Sequence, residues 1–322
     1  MRRLVSLSGI LALAIGCSSS SGPGDAPTVT QIVPATAATN VALDQDVLLS
    51  FSQALNPGSV TSASVYLRYK GVIAGSTLAL ENGNRDVRLT PAGTLGNNRT
   101  YTVGVTPGVT SAGGGTATAF TSTFTTVSTS ASIVDAAGDT FGIDTTIPQA
   151  DLAGLFASQG EKALTVVISF NTVIAPSNDT SALAVGGYLD IDADQNSSTG
   201  FQAASDYFRP ASDAGSSGLG DEYLVYLFQN PNGSFTVWDV NDSLGTVMPT
   251  YDAHSITFAI PYALIGNDDG NVNLAAVVGL IEPTDIGPSN GHMTLGDPGI
   301  PATGAAPALL AARARFPRAW IR

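Results

Sequence analysis

The chain has 322 residues, of which 43% are hydrophobic and only 12% charged, with a formal net charge of −13, one cysteine and two histidines. That length suits about two domains. The acidic balance argues against nucleic acid as a partner, and a single cysteine excludes a disulfide within the chain.

Arg2 and Arg3 precede a short apolar run, Leu4 to Ile15, too brief to span a bilayer as a helix. This pattern predicts an export signal. The run ends in Ala14-Ile15-Gly16-Cys17, which resembles the lipobox of bacterial lipoproteins. The resemblance implies cleavage before Cys17, acylation of Cys17 and attachment to a membrane through that lipid, in the bacterial cell envelope outside the cytoplasm. Residues 1–17 are therefore read as signal peptide and acylated cysteine, and the Ser/Gly/Pro-rich residues 18–26 as a flexible tether. An exported protein without disulfides needs another source of rigidity, such as a large core or bound cations.

Residues 27–126 read as the first folded unit. Short alternating runs at Thr28–Val33, Asp46–Phe51, Ser64–Arg68, Thr77–Leu80, Asp86–Thr90, Thr100–Val105 and Phe120–Thr125 are separated by turn residues. Seven such strands in about a hundred residues predict an Ig-like sandwich. Ile32-Val33-Pro34, Asn40-Val41-Ala42, Leu48 to Leu55, Val87 to Pro91, Thr100 to Val103 and the closing Ser122 to Thr126 follow in order. Together they resemble the bacterial Ig-like domain known from S-layer proteins, which implies a spacer or adhesive module. Tyr101 is placed to anchor a corner through its hydroxyl.

A Ser/Thr linker is expected over residues 127–132, and a second unit over 133–298. Its candidate strands are Glu161–Phe170, Gly187–Asp192, Tyr223–Phe228, Ser234–Val240, Ser255–Ile260 and Val272–Gly279. Gln229-Asn230-Pro231-Asn232-Gly233 reads as a hairpin turn. Gly138-Asp139, Leu189-Asp190-Ile191-Asp192 and Ile260-Pro261 followed by Leu264-Ile265-Gly266 resemble noncatalytic modules related to family 9 carbohydrate-binding and DOMON-type domains. Residues 299–322 form an Ala/Pro-rich tail with four arginines and no acid. The fold class expected is all-β: an Ig-like β-sandwich followed by a larger, jelly-roll-like β-sandwich.

Charge separates the two units. Residues 127–300 hold 21 acids against two basic residues, a net of −19, whereas residues 27–126 hold four acids against five bases, a net of +1. A compact body with that imbalance repels itself unless the charge is solvated or neutralised. On an extended strand Asp190, Asp192 and Asp194 share a face, while Leu189, Ile191 and Ala193 face a core. Three carboxylates at one strand end suit Ca²⁺. The loop is not an EF-hand, because its sixth position is Gln195 rather than Gly and its twelfth is Phe201 rather than Glu. Asn196 is a further candidate ligand. Either Asp135, Asp139, Asp144 and Asp151, or Asp206, Asp213, Asp221 and Glu222, could complete the shell from a neighbouring loop. Asp221 and Glu222, directly before a strand, are preferred.

Trp238 and Tyr207, with Tyr188, Tyr223, Tyr226 and Tyr251, offer aromatic surface for a sugar ligand, although Trp238 alternates with Val237 and so also suits a core position. No nucleophile elbow or zinc-hydrolase motif is present in the sequence, so no catalysis is expected. The expected function is a non-catalytic cell-surface lipoprotein, its Ig-like spacer presenting a calcium-stabilised acidic sandwich for adhesion or for binding a surface glycan or protein ligand. The alternative is a carbohydrate-binding or accessory module serving a secreted hydrolase.

Overall fold

The structure, a computed structural model, describes residues 24–144, 146–279 and 281–297. The expected signal peptide, Cys17 and the tail at 299–322 lie outside the described residues. Two β-sandwiches follow one another along the chain, as the alternation of short apolar runs predicts.

The first contains β1 (Val29–Val33), β2 (Ala38–Val41), β3 (Val47–Phe51), β4 (Val65–Tyr69), β5 (Val72–Ala74), β6 (Ser76–Glu81), β7 (Asp86–Pro91), β8 (Thr100–Val105) and β9 (Phe120–Thr126). One sheet has the order β1-β3-β7-β6 and the other β2-β9-β8-β4-β5. Alternation places Val47, Leu49 and Phe51 of β3 against Val87, Leu89, Val103 and Phe124 in the core. Tyr101 is buried and its hydroxyl accepts a hydrogen bond from the Gly96 amide at 2.9 Å, fixing the corner before β8. The short β2 had no clear alternation; it pairs parallel to β9.

The second sandwich contains β10 (Ser130–Val134), β11 (Leu152–Gln159), β12 (Ala163–Phe170), β13 (Gly186–Asp192), the short helix α1 (Ala204–Tyr207), β14 (Tyr223–Tyr226) and β15 (Phe235–Trp238). It continues through β16 (Ser243–Val247), β17 (Thr250–Tyr251), β18 (Ser255–Pro261), β19 (Val272–Gly279), β20 (Pro283–Gly287) and β21 (Met293–Leu295). The sheets run β10-β11-β12-β18-β17 and β16-β15-β14-β13-β19-β20, with β21 also on β19. β10 begins inside the stretch expected to be linker, because Ser132 and Ile133 pair with Phe156 and Leu155 of β11.

β13 is central in its sheet and buried on both faces. Leu189 and Ile191 enter the main core with Val166, Ile168, Val225 and Leu274. Tyr188, Asp190 and Asp192 point the other way. There Tyr188 packs with Ala204, Val277 and Ile286, beneath the excursion that joins β13 to β14.

A polar seam joins the sandwiches. Asp269 Oδ2 accepts from Arg99 Nε at 2.6 Å and from the Tyr69 hydroxyl, and the Asp269 carbonyl accepts from Asn98 Nδ2 at 2.7 Å. Asn271 donates to the Asn97 carbonyl at 2.7 Å and accepts from Gln159 at 2.7 Å.

Candidate functional site

Alternation along β13 brings Asp190 and Asp192 onto the outer face, and the residues that follow decide what each meets. Asp192, Asp194 and Glu222 each place a carboxylate oxygen within 4.8 Å of the others. Asp192 is buried, Asp194 exposed and Glu222 half-buried, so the cluster runs from the sheet interior to solvent. The Asn196 amide donates to Asp192 Oδ1 at 3.1 Å and to Asp194 Oδ1 at 3.0 Å, which wraps the loop around the first two carboxylates. Thr199 Oγ1 lies 2.9 Å from both oxygens of Asp194. The Ala193 amide donates to Glu222 Oε2 at 2.9 Å and sets the third.

Gln195 holds the turn with φ +55°. It thus stands in the left-handed region at the position where an EF-hand loop has glycine.

The cluster also gathers oxygens without partners. Glu222 Oε1 and Asn273 Oδ1 are buried and accept no hydrogen bond. Asn273 is paired across the sheet with Asp192 and donates to its Oδ2 at 3.1 Å, leaving its own amide oxygen over. Burial, and the charges of Asp194 and Asp192, raise the Glu222 carboxyl to about 7. Burial also raises Asp192, against the hydrogen bonds from Asn273 and Asn196. All the donors are oxygen, a set that suits a hard cation such as Ca²⁺.

Asp190 does not join this cluster. Its two oxygens accept from the Ala204 and Ser205 amides, each at 2.8 Å, at the start of α1. Its carboxyl also bonds to that of Asp221. Both groups are buried, and burial together with the Asp190 charge pushes Asp221 well above the ordinary carboxylate range. Asn196, whose side chain accepts from the Ser198 amide at 3.1 Å, is turned into its own loop. Sequence reasoning missed Asn273; its alternation with Val272 and Leu274 at the start of a buried strand was the available signal.

Beside Asp221 and Glu222 lies a pocket of ≈ 260 Å³ whose walls include Phe201, Tyr223, Tyr226, Trp238, Asp239 and Asn241. Trp238 is half-buried on the outer face of the sheet and stacks on Tyr226, with centroids 5.2 Å apart and planes at 25°. Its indole N–H is buried and unpartnered. Tyr207 stands apart from this pocket: it is 47% exposed on α1, edge-on to Phe208 at 4.9 Å.

A second acidic group lies at the entry to this sandwich, where Asp135, Asp139 and Asp285 place an oxygen each within 4.8 Å of one another. Burial pushes Asp135 up to about 6, helped by Asp139, and Asp285 up to about 7, helped by Asp135. Of the acids expected nearby, Asp151 is held by the Gly138 amide at 2.9 Å and Asn171 at 2.9 Å. Asp144 caps its own turn at Thr146.

Comparison with known proteins locates the first unit. Residues 24–126 match a family described as a bacterial Ig-like domain. No curated protein sequence matches the chain. Among solved structures, the N-terminal part of the bacterial S-layer protein SbsC is 15% identical with a TM-score of 0.26 over 45% of this chain, which spans 41% of that fragment. Escherichia coli alpha-2-macroglobulin is 15% identical with a TM-score of 0.26, over 82% of this chain and 71% of that one. An L,D-transpeptidase from Mycobacterium smegmatis is 14% identical with a TM-score of 0.25, over 66% of this chain and 76% of that one. None of these likenesses carries a functional argument. The first unit is an Ig-like domain of a mostly β protein.

Proposed function

We propose that the chain is a non-catalytic surface module, held to a bacterial membrane by a lipid on Cys17. Its Ig-like unit spaces from that membrane an acidic sandwich that binds Ca²⁺ through Asp192, Asp194 and Glu222. One observation carries the cation reading: three carboxylates converge at the end of β13 beside buried, unpartnered oxygens of Glu222 and Asn273. Buried acceptors without donors cost free energy, and a divalent cation satisfies several at once. Calorimetric titration of Ca²⁺ into the EDTA-treated protein tests it. Binding at this cluster is expected, and that site is lost on Asp192→Asn or Glu222→Gln. Absence of binding at millimolar Ca²⁺ would remove the reading.

A second reading, a glycan-binding accessory module, draws support from the pocket. A stacked Trp238–Tyr226 pair, carboxylates and an unpartnered indole N–H are the groups a sugar face and its hydroxyls engage. Glycan-array binding abolished by Trp238→Ala would favour it. A blank array, with calcium-dependent thermal stability retained, would favour the first reading.

A further inference from the structure

The carboxylates at the entry to the larger sandwich come from three separate segments. Asp135 directly follows β10, Asp139 lies in the loop behind Gly138, and Asp285 is in β20, 150 residues away in sequence from Asp135. Each is fixed by its neighbours. The Asp135 amide donates to the Ala153 carbonyl at 2.9 Å. Asp285 Oδ2 accepts from the Leu152 amide at 2.7 Å and its Oδ1 from the Ile286 amide at 2.8 Å. Ser289 Oγ donates to Asp139 Oδ2 at 3.0 Å and lies 3.3 Å from Asp135 Oδ1. The carboxylates are thus held together by backbone and hydroxyl donors, with no Lys or Arg among those contacts.

One oxygen is left over. Asp135 is 6% exposed, and its Oδ2 is buried with no hydrogen-bond partner. A Cβ built at Gly287 would lie 3.6 Å from that oxygen, in ordinary contact, and would press on Leu152 Cδ1 at 2.8 Å. A buried acceptor in this state carries its full desolvation cost. A single proton would bridge one pair of carboxylates and leave the third unmatched. A multivalent cation engages all three, and the oxygen-only donor set suits Ca²⁺ rather than Zn²⁺.

The geometry points to a second divalent-cation site, formed by Asp135, Asp139 and Asp285, that staples the end of β10 and the loop after it to β20. It shares no ligand with the cluster at the end of β13 and stands or falls separately from it. Its structural effect is to pin the first strand of the larger sandwich, at the sheet edge, to the opposite sheet.

Calorimetric titration of Ca²⁺ into the EDTA-stripped full chain, paired with thermal unfolding, tests the assignment. Two sites per chain are expected. Asp139→Asn, at an exposed position that leaves folding intact, should weaken one of them at least ~10-fold and spare the other, while Asp194→Asn should do the reverse. Thermal unfolding adds a sign that a merely structural role would not give. In EDTA the Asp139→Asn protein should melt at or above the wild type, because a like charge is gone; in millimolar Ca²⁺ it should melt below. A single site that survives only in Asp194→Asn and is lost in Asp139→Asn would support this proposal and remove the β13 site. Calcium binding that Asp139→Asn leaves untouched would overturn the second site. So would a melting difference between variant and wild type that is the same in EDTA and in Ca²⁺, and so would the absence of any calcium binding.

Discussion

At the residue scale, the buried carboxyls set the pH behaviour. Asp135 is raised to about 6, and Glu222 and Asp285 to about 7. The folded, cation-free protein therefore keeps protons that the unfolded chain releases near pH 4. Where the folded state binds more protons, stability falls as pH rises. The melting temperature in EDTA should thus decline from about pH 4 to about pH 7, and Ca²⁺ should flatten that decline by stabilising the ionised forms. A rise over that window in EDTA would contradict it. Asp144, Asp179 and Asp252, held below the usual carboxylate range by hydrogen bonds of their own turns, act in the opposite sense, but at lower pH and at the surface. In the Ig-like unit, Tyr101→Phe removes the acceptor of the Gly96 amide inside the core. Urea unfolding should show a loss of about 1–3 kcal/mol, the cost of a buried donor left unsatisfied.

At the element scale, the segment from 193 to 222 decides what the outer face of β13 becomes. Its ends are tied by Phe201 and Asp221, whose amides donate to each other's carbonyls at 2.8 and 3.1 Å. Gly200 makes this closure possible. Its φ is +68°, and a Cβ there would fall 2.4 Å from the Asp221 carbonyl oxygen. Gly200→Ala should cost about 1–3 kcal/mol and weaken Ca²⁺ binding at Asp194 and Glu222 together, since the same tie sets both; calorimetry and urea unfolding on one sample would read both effects.

Much of β13 was legible in advance. The alternation of Leu189 and Ile191 with Asp190 and Asp192 gave its two faces, and Glu222 was readable as an acid directly before a strand. The fate of Asp190 was not, because α1 is only four residues long and its amides reach Asp190 through tertiary folding. Asp285 was hidden for a similar reason. Strand pairing of β20 with β19, and the Leu152 amide, carry it to Asp135, and no local pattern encodes that meeting. The strands β10, β11, β16, β17, β20 and β21 went unread because they are short or mix small and polar residues into the pattern, so no apolar period announces them.

At the scale of the whole molecule, the seam at Asp269 governs how the units behave together. Arg99 and Asp269 have side chains 14% and 6% exposed and meet at 2.6 Å. The guanidinium also lies 4.3 Å from the Tyr69 ring centroid. Removing one partner of a buried pair leaves the other uncompensated, at a cost of about 3–5 kcal/mol. Arg99→Ala should therefore split thermal unfolding into two calorimetric transitions where the parent shows greater overlap; an unchanged thermogram would mean that the units are already independent. None of this was readable from the chain. Asn97, Asn98 and Arg99 look like an ordinary turn between strands, and Asp269 like one more loop acid, until the folded units face each other.

The make-up of that seam has a practical corollary. The side chains that meet there are asparagines, a glutamine, two tyrosine hydroxyls, an arginine, a lysine and two aspartates, all of which water can solvate. Cutting the chain between Val127 and Thr129 would therefore uncover a wettable surface instead of a greasy one. Each half produced alone is therefore expected to stay soluble, with no new apolar face to drive association.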